Sequence, residues 1–205
     1  MMLAAGAAIA AIVVVLGAFI LVGRTGSSAP PGPSYDPTSL PGLQLGGPPW
    51  QPETTNLRAR LALIGLPALT AGAEALHTHQ HLDLFVDGKQ VPIPADIGID
   101  AAQGFLAPLH THDTSGIIHV ESPVVRTYTL GEFFDVWGLR LTADCVGGVC
   151  TGAGRIMWVW VNAVAYSGDP RNIVLEAHQE IVIAVGSQSE MPNPVPSSYA
   201  FPAGL

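Results

Sequence analysis

Positive charge is scarce in this 205-residue chain: 8 Lys and Arg stand against 16 Asp and Glu, for a formal net charge of −8, and Lys89 is the single lysine. With so few cations there is no basic stripe to neutralise phosphates, which argues against nucleic acid as a partner and against polybasic attachment to anionic lipid. Cysteine is also scarce. Cys145 and Cys150 are the only two, so thiolates alone cannot complete a four-ligand zinc site. The 4 methionines disfavour a thioether copper(I) site. Neither Ser115 nor Ser122 lies in a nucleophile-elbow pattern, which argues against a serine nucleophile.

Against these scarcities, histidine is concentrated. Of 7 histidines, six fall in two short runs, His77-Thr-His79-Gln-His81-Leu-Asp83 and His110-Thr-His112-Asp113-Thr-Ser-Gly-Ile-Ile-His119, and His178 lies alone. Alternate residues of a strand share one face, so each His-x-His pair directs two imidazoles the same way. Asp113-Thr114-Ser115-Gly116 reads as a β-turn, with Asp first and Gly fourth. If the flanking segments pair around it, His112 faces Ile117, Thr111 faces Ile118 and His110 faces His119. Opposed residues hold their Cβ atoms about 4.5 to 5.5 Å apart, close enough for two imidazoles to reach one ion. His110, His112 and His119 are therefore the main expected metal ligands, with Glu121 on the same face as a fourth. His79 and His81 are a second contribution or a second site, and Asp83 and Asp113 are expected to orient imidazole N–H groups from behind. The competing reading makes the histidines surface or hydrogen-bonded core residues and the two aspartates turn and strand-end carboxylates. Clustered imidazoles with carboxylates suit Zn(II) or Cu(II).

Cys145-Val-Gly-Gly-Val-Cys150 sets its thiols opposite each other across a Gly-Gly turn, a geometry compatible with a cross-strand disulfide. C-x₄-C also lies within zinc-ligand spacing, and free thiols are the third alternative. A disulfide would place the domain in an oxidising compartment. Leu3 to Val22 is an uncharged apolar run long enough to cross a bilayer core of roughly 30 Å as a helix. It reads as an uncleaved single-pass anchor; the rival is a signal peptide with Ser28-Ala29 near its cleavage site. Arg24, just after the run, favours a cytoplasmic C-terminus on a literal charge count, whereas the cysteine pair favours an extracytoplasmic one.

The expected organisation is an anchor over 1–24, a Pro/Gly-rich linker over 25–51, a β-rich domain over 52–187 and a loose tail over 188–205. The domain is expected to be mainly β (α+β), a small antiparallel sheet with two short helices. One helix is expected to carry Leu57, Leu61 and Ile64 on one face, with Thr55 as N-cap and a stop at Gly65 and Pro67. The other opens with the capping box Thr129-Leu-Gly-Glu132, presents Phe133, Phe134 and Trp137, and stops at Gly138. Strands are expected over 82–86, 91–93, 124–127, 139–143, 156–162 and 181–185, besides the histidine hairpin. Asp87-Gly88 and, more weakly, Asn162-Ala163 are two-residue hairpin turns, and the sequences around them echo each other.

The blocks Leu61-Ala-Leu-Ile-Gly-Leu-Pro-Ala-Leu69, His79-Gln-His-Leu-Asp-Leu-Phe-Val-Asp-Gly88, Ile93-Pro-Ala-Asp-Ile-Gly98, Leu109-His-Thr-His-Asp-Thr-Ser-Gly-Ile-Ile-His-Val-Glu-Ser122, Tyr128-Thr-Leu-Gly-Glu-Phe-Phe134 and Gly168-Asp-Pro170 together resemble a family of bacterial, largely actinobacterial, membrane-anchored or secreted proteins. The resemblance covers 56–186 and implies little about chemistry, since the family brings no established activity with it. Better-known His-x-His patterns fit less well. In a cupin a ligating Glu follows the pair by three or four residues, whereas Glu121 follows His112 by nine. A cupredoxin needs a lone cysteine ligand. Three function classes remain open: a membrane-tethered metal-binding protein, a metal-dependent enzyme with an open three-His site in which Glu121 or Asp113 is the general base, and an accessory or interaction module of a membrane complex.

Overall fold

A computed structural model of the chain describes residues 35–70 and 75–205. The apolar run Leu3–Val22, Arg24 and Ser28-Ala29 lie outside the described residues. Among the described residues, no helix is long and apolar enough to cross a membrane. In chain order the elements are α1 (Leu57–Ile64), β1 (Leu76–Val86), β2 (Lys89–Val91), β3 (Ile99–Asp100), β4 (Phe105–Leu106), β5 (Leu109–His110), β6 (Ile117–Ser122), α2 (Leu130–Trp137), β7 (Cys145–Val146), β8 (Val149–Cys150), β9 (Ile156–Val161), β10 (Val164–Ala165) and β11 (Glu180–Gly186). Among the described residues the fold is mainly β with two α-helices, as the periodicity predicts.

The main sheet runs β10-β9-β11-β1-β6-β5, with β2 also paired to β1, and β3–β4 and β7–β8 form separate two-stranded ribbons. It is mixed rather than antiparallel, because β1 and β11 pair in parallel from His81↔Glu180 to Val86↔Val185. That pairing joins segments about a hundred residues apart. Leu82, Leu84, Ile118, Val120, Ile181 and Ile183 alternate onto one face and are buried, at 1% exposure or less. α2 belongs to the same core: Phe133, Phe134 and Trp137 have no exposed surface. The other face of the sheet receives the alternate residues, which include the histidines of β1, β5 and β6.

Both helices end as expected, on Gly65 and Gly138 in the left-handed conformation. The Thr129–Glu132 capping box forms in full. At α1 the N-cap is Asn56 rather than Thr55, with no side-chain cap bond. The turns Asp87-Gly88 and Asn162-Ala163 both have positive φ at both residues, the signature of a type I′ hairpin turn. Two expected strands are absent. Over 124–127, Pro123 removes a ladder donor, Ser122 Oγ accepts from Val124 N at 3.1 Å, and Val125 is 76% exposed with nothing to alternate against. Over 139–143 only isolated bridges form, Gln44↔Leu139 and Leu141↔Val146, and alternation there reflects Leu139 and Leu141 dipping into the core.

Cys145 and Cys150 are cross-strand partners in β7–β8 and are joined by a disulfide, with Cα atoms 4.1 Å apart. Residues 35–51, part of the stretch read as a linker, send Leu40 and Trp50 into the core. The Trp50 indole lies against the Gly147 turn so closely that a Cβ there would meet it at 2.5 Å.

Arg60 of α1 is fully buried and holds these pieces together. Its guanidinium donates to the Asp135 and Val136 carbonyls, each at 2.9 Å, to Pro41 O at 3.1 Å, and to Glu53. It thereby satisfies carbonyls in the last turn of α2 that have no partner within the helix. Arg60→Ala is expected to cost about 3 to 5 kcal/mol, the usual loss when one partner of a buried ion pair is removed. Urea denaturation of the variant checks this; a loss below 1 kcal/mol, the scale of an exposed pair, would show that Glu53 and the carbonyls find other partners.

Candidate metal centre

The hairpin register places His110 of β5 opposite His119 of β6, as the turn predicts. Beyond that pair the segments separate. Thr111 turns to the 94–97 loop, where its N–H donates to Ile97 O, its hydroxyl to Pro94 O, and its Oγ1 accepts from Ile97 N. Asp113 Oδ1 accepts from Ser115 N at 2.8 Å to close the turn. Gly116, at φ +90°, lies where a Cβ would meet Leu82 O at 2.7 Å and His81 Nε2 at 2.9 Å, so the turn needs glycine.

On its other side β6 pairs with β1, opposing His79 to His119 and His77 to Glu121. Three strands therefore set His110, His119 and His79 in a row across one sheet face, flanked by His112, Glu121 and His77. The donor atoms form two overlapping sets within 4.8 Å: His110, His112, His119 and Glu121, and His77, His79 and His119. His110 Nε2 and His112 Nε2 are 3.2 Å apart. Glu121 Oε1 lies 3.3 Å from His77 Nε2, 3.6 Å from His110 Nε2 and 3.6 Å from His119 Nδ1. Ligand atoms about 2.0 to 2.1 Å from a tetrahedral zinc are roughly 3.3 Å from one another, so these spacings match the edges of such a coordination shell.

The electrostatics favour bare nitrogens. His110 Nδ1–H donates to Ala107 O at 3.0 Å, which leaves Nε2 as a lone pair aimed into the cluster. Burial, with the neighbouring imidazoles opposing any charge, pushes His110 down to about 4 and His119 down to about 3, and lowers His79 as well. These rings are neutral near pH 7, the state a metal requires. His119 Nδ1 and His79 Nε2 are buried with no hydrogen-bond partner. Buried polar atoms are rarely left so, and here both residues belong to the donor sets.

The remaining expected site residues lie elsewhere. His81 Nε2–H donates to Ser115 O at 2.8 Å and Nδ1–H to Glu180 Oε2 at 2.9 Å, so both nitrogens are occupied. Burial lowers its pKa, but the Glu180 carboxylate and the Ser115 carbonyl outweigh burial and raise it overall. His81 thus pins the hairpin turn to β11, and Tyr199 stacks on it at 3.8 Å. Asp83 accepts from Gln90 Nε2 at 2.6 Å and groups with His81 and Glu180, not with the row of imidazoles. Asp113 holds its own turn; Ser115 lowers its pKa and no imidazole N–H reaches it. The contacts of both aspartates fit their bland reading. His178, outside both donor sets, bonds Leu205 O through Nε2 at 3.0 Å and packs on Phe201. Residues 187–205 thus return from the end of β11 to its start, laying Tyr199 and Phe201 over this end of the sheet.

Sequence reasoning missed two residues. His77 was visible in the strand alternation of the first run, but its place opposite Glu121 depends on the β1–β6 register. Glu180, the partner of His81, is reached only through the parallel β1–β11 pairing. Comparison with protein-family profiles, curated proteins and solved structures finds no match, so the reading of the site rests on its geometry.

Proposed function

We propose that the chain is a membrane-tethered, extracytoplasmic protein that binds Zn(II) or Cu(II) through the histidine row of its sheet. The observation that carries this reading is the convergence of the donor atoms of His110, His112, His119 and Glu121 within 4.8 Å of one another, with His119 Nδ1 buried and unpartnered among them. The Cys145–Cys150 disulfide supports the compartment, because such bonds persist where the surroundings are oxidising. The uncharged run Leu3–Val22 supports the tether.

The test is elemental analysis of the protein purified without a polyhistidine tag. Near-stoichiometric Zn or Cu is the expected result, either as isolated or after loading and desalting. Protein that retains neither ion after reconstitution would overturn the reading.

A further inference from the structure

We infer that the histidine row is a two-ion centre, in which Glu121 bridges one ion held by His110, His112 and His119 to a second held by His77 and His79. This rests on the metal-binding reading and deepens it. A tetrahedral ion takes four protein or solvent donors, and the row offers six. They gather as two sets around the shared His119 rather than as one group within 4.8 Å.

Each set contains a residue with an unsatisfied nitrogen, His119 in the first and His79 in the second. A single ion on His110, His112, His119 and Glu121 satisfies His119 Nδ1 but leaves His79 Nε2 buried at 6% residue exposure with no partner, which the interior disfavours. A second ion on His79 and His77 removes that orphan. Glu121 is placed to join the two, since one carboxylate oxygen lies 3.3 Å from His77 Nε2 in one set and 3.6 Å from both His110 Nε2 and His119 Nδ1 in the other. Carboxylate-bridged pairs of this kind hold their ions roughly 3.5 to 4 Å apart. His77 and His112, the most exposed members of their sets, stand where each ion meets solvent. The centre accepts two divalent transition-metal cations with exchangeable solvent positions.

Copper(II) is the probe, because it binds nitrogen and oxygen sites more tightly than the other first-row divalent ions and carries one unpaired electron. Metal-free, untagged full-length protein is titrated with Cu(II) and followed by electron paramagnetic resonance. The first equivalent is expected to give a full one-spin signal, and the second to reduce the integrated intensity as the two bridged spins couple. His77→Ala and His112→Ala, both at exposed positions, should each bind one equivalent with an undiminished signal. Glu121→Gln should weaken or abolish the coupling. Saturation of the wild type at one equivalent would overturn the two-ion centre and leave the metal-binding reading standing. Two equivalents with independent spins would remove the bridge and overturn the inference as well. No tight binding at all would sink both.

Discussion

Replacing His110 or His119 by alanine is expected to weaken the tightest metal equivalent by at least about 100-fold, more than the 10- to 100-fold typical of losing a group that merely orients a ligand. The two rings face each other across β5–β6, and their donor nitrogens both approach Glu121 Oε1 at 3.6 Å. Ligands of one ion act as a unit, so the double variant should lose far less than the product of the single losses. A chromophoric chelator competing for Zn(II) measures all three. His178→Ala should leave affinity within about twofold, since its ring is held by Leu205 and Phe201. His81→Ala is the sharper control. Both of its nitrogens already donate to Ser115 and Glu180, so the variant should destabilise the fold while metal affinity stays nearly unchanged. Strictly multiplicative losses for His110 and His119, or a loss at His81 as large as theirs, would show that the ion sits elsewhere.

What the sequence made legible is local. Asp113 to Gly116 is a turn with its own chemistry, and counting outward from it gives His110↔His119 without any knowledge of the rest of the fold. The capping box of α2, the glycine stops of both helices and the Gly-Gly turn between the cysteines are likewise written within four or five residues. What was not legible depends on pairings between distant segments. His79 joins His119, and His77 joins Glu121, only because β1 lies against β6 in one particular register. A slip of one residue would send every histidine of β1 to the core face. In that register Ile118 and Val120 of β6, with Gln80 of β1 opposite Ile118, are buried on the opposite face.

His81 shows the same limit from the other side. By alternation it belongs with His77 and His79, and the sequence counts it as a ligand. The parallel partner β11 brings Glu180 beside it, and the hairpin turn brings the Ser115 carbonyl. With both nitrogens already held, His81 belongs to a different constellation, with Asp83 and Glu180, and the face that looks continuous in sequence divides into a pinned end and a row of bare nitrogens.

That row makes the metal-free protein sensitive to acid. The folded pKa values of His110, about 4, and His119, about 3, lie below the ordinary value of 6.5, because burial and the neighbouring rings resist a positive charge. Between those values and 6.5 the unfolded chain binds more protons than the folded one, so stability falls as pH falls through that window. Each ring therefore adds to a stability that is present at pH 7 and lost on acidification, and because a charge on one ring opposes a charge on its neighbours the losses are shared rather than independent. Since domains of this size have only about 5 to 15 kcal/mol in total, the metal-free protein should lose a substantial part of its stability as pH falls below 6.5 and undergo its acid transition in that direction. His81 acts in the opposite sense: its raised pKa gives a contribution fully present below pH 6.5 and lost as pH rises through the folded value, so it leaves the slope of the acid transition below pH 6.5 unchanged. Bound Zn(II) at about 1,000 times its dissociation constant adds roughly 4 kcal/mol and should move the midpoint to lower pH, although protons compete for the same nitrogens as acid is added. Circular dichroism of chelator-treated and Zn-loaded protein from pH 8 to pH 3 reads both midpoints. Metal-free protein whose stability is flat or rising between pH 6.5 and pH 4 would show that these imidazoles are not buried in their neutral form, and would remove the electrostatic basis of the site.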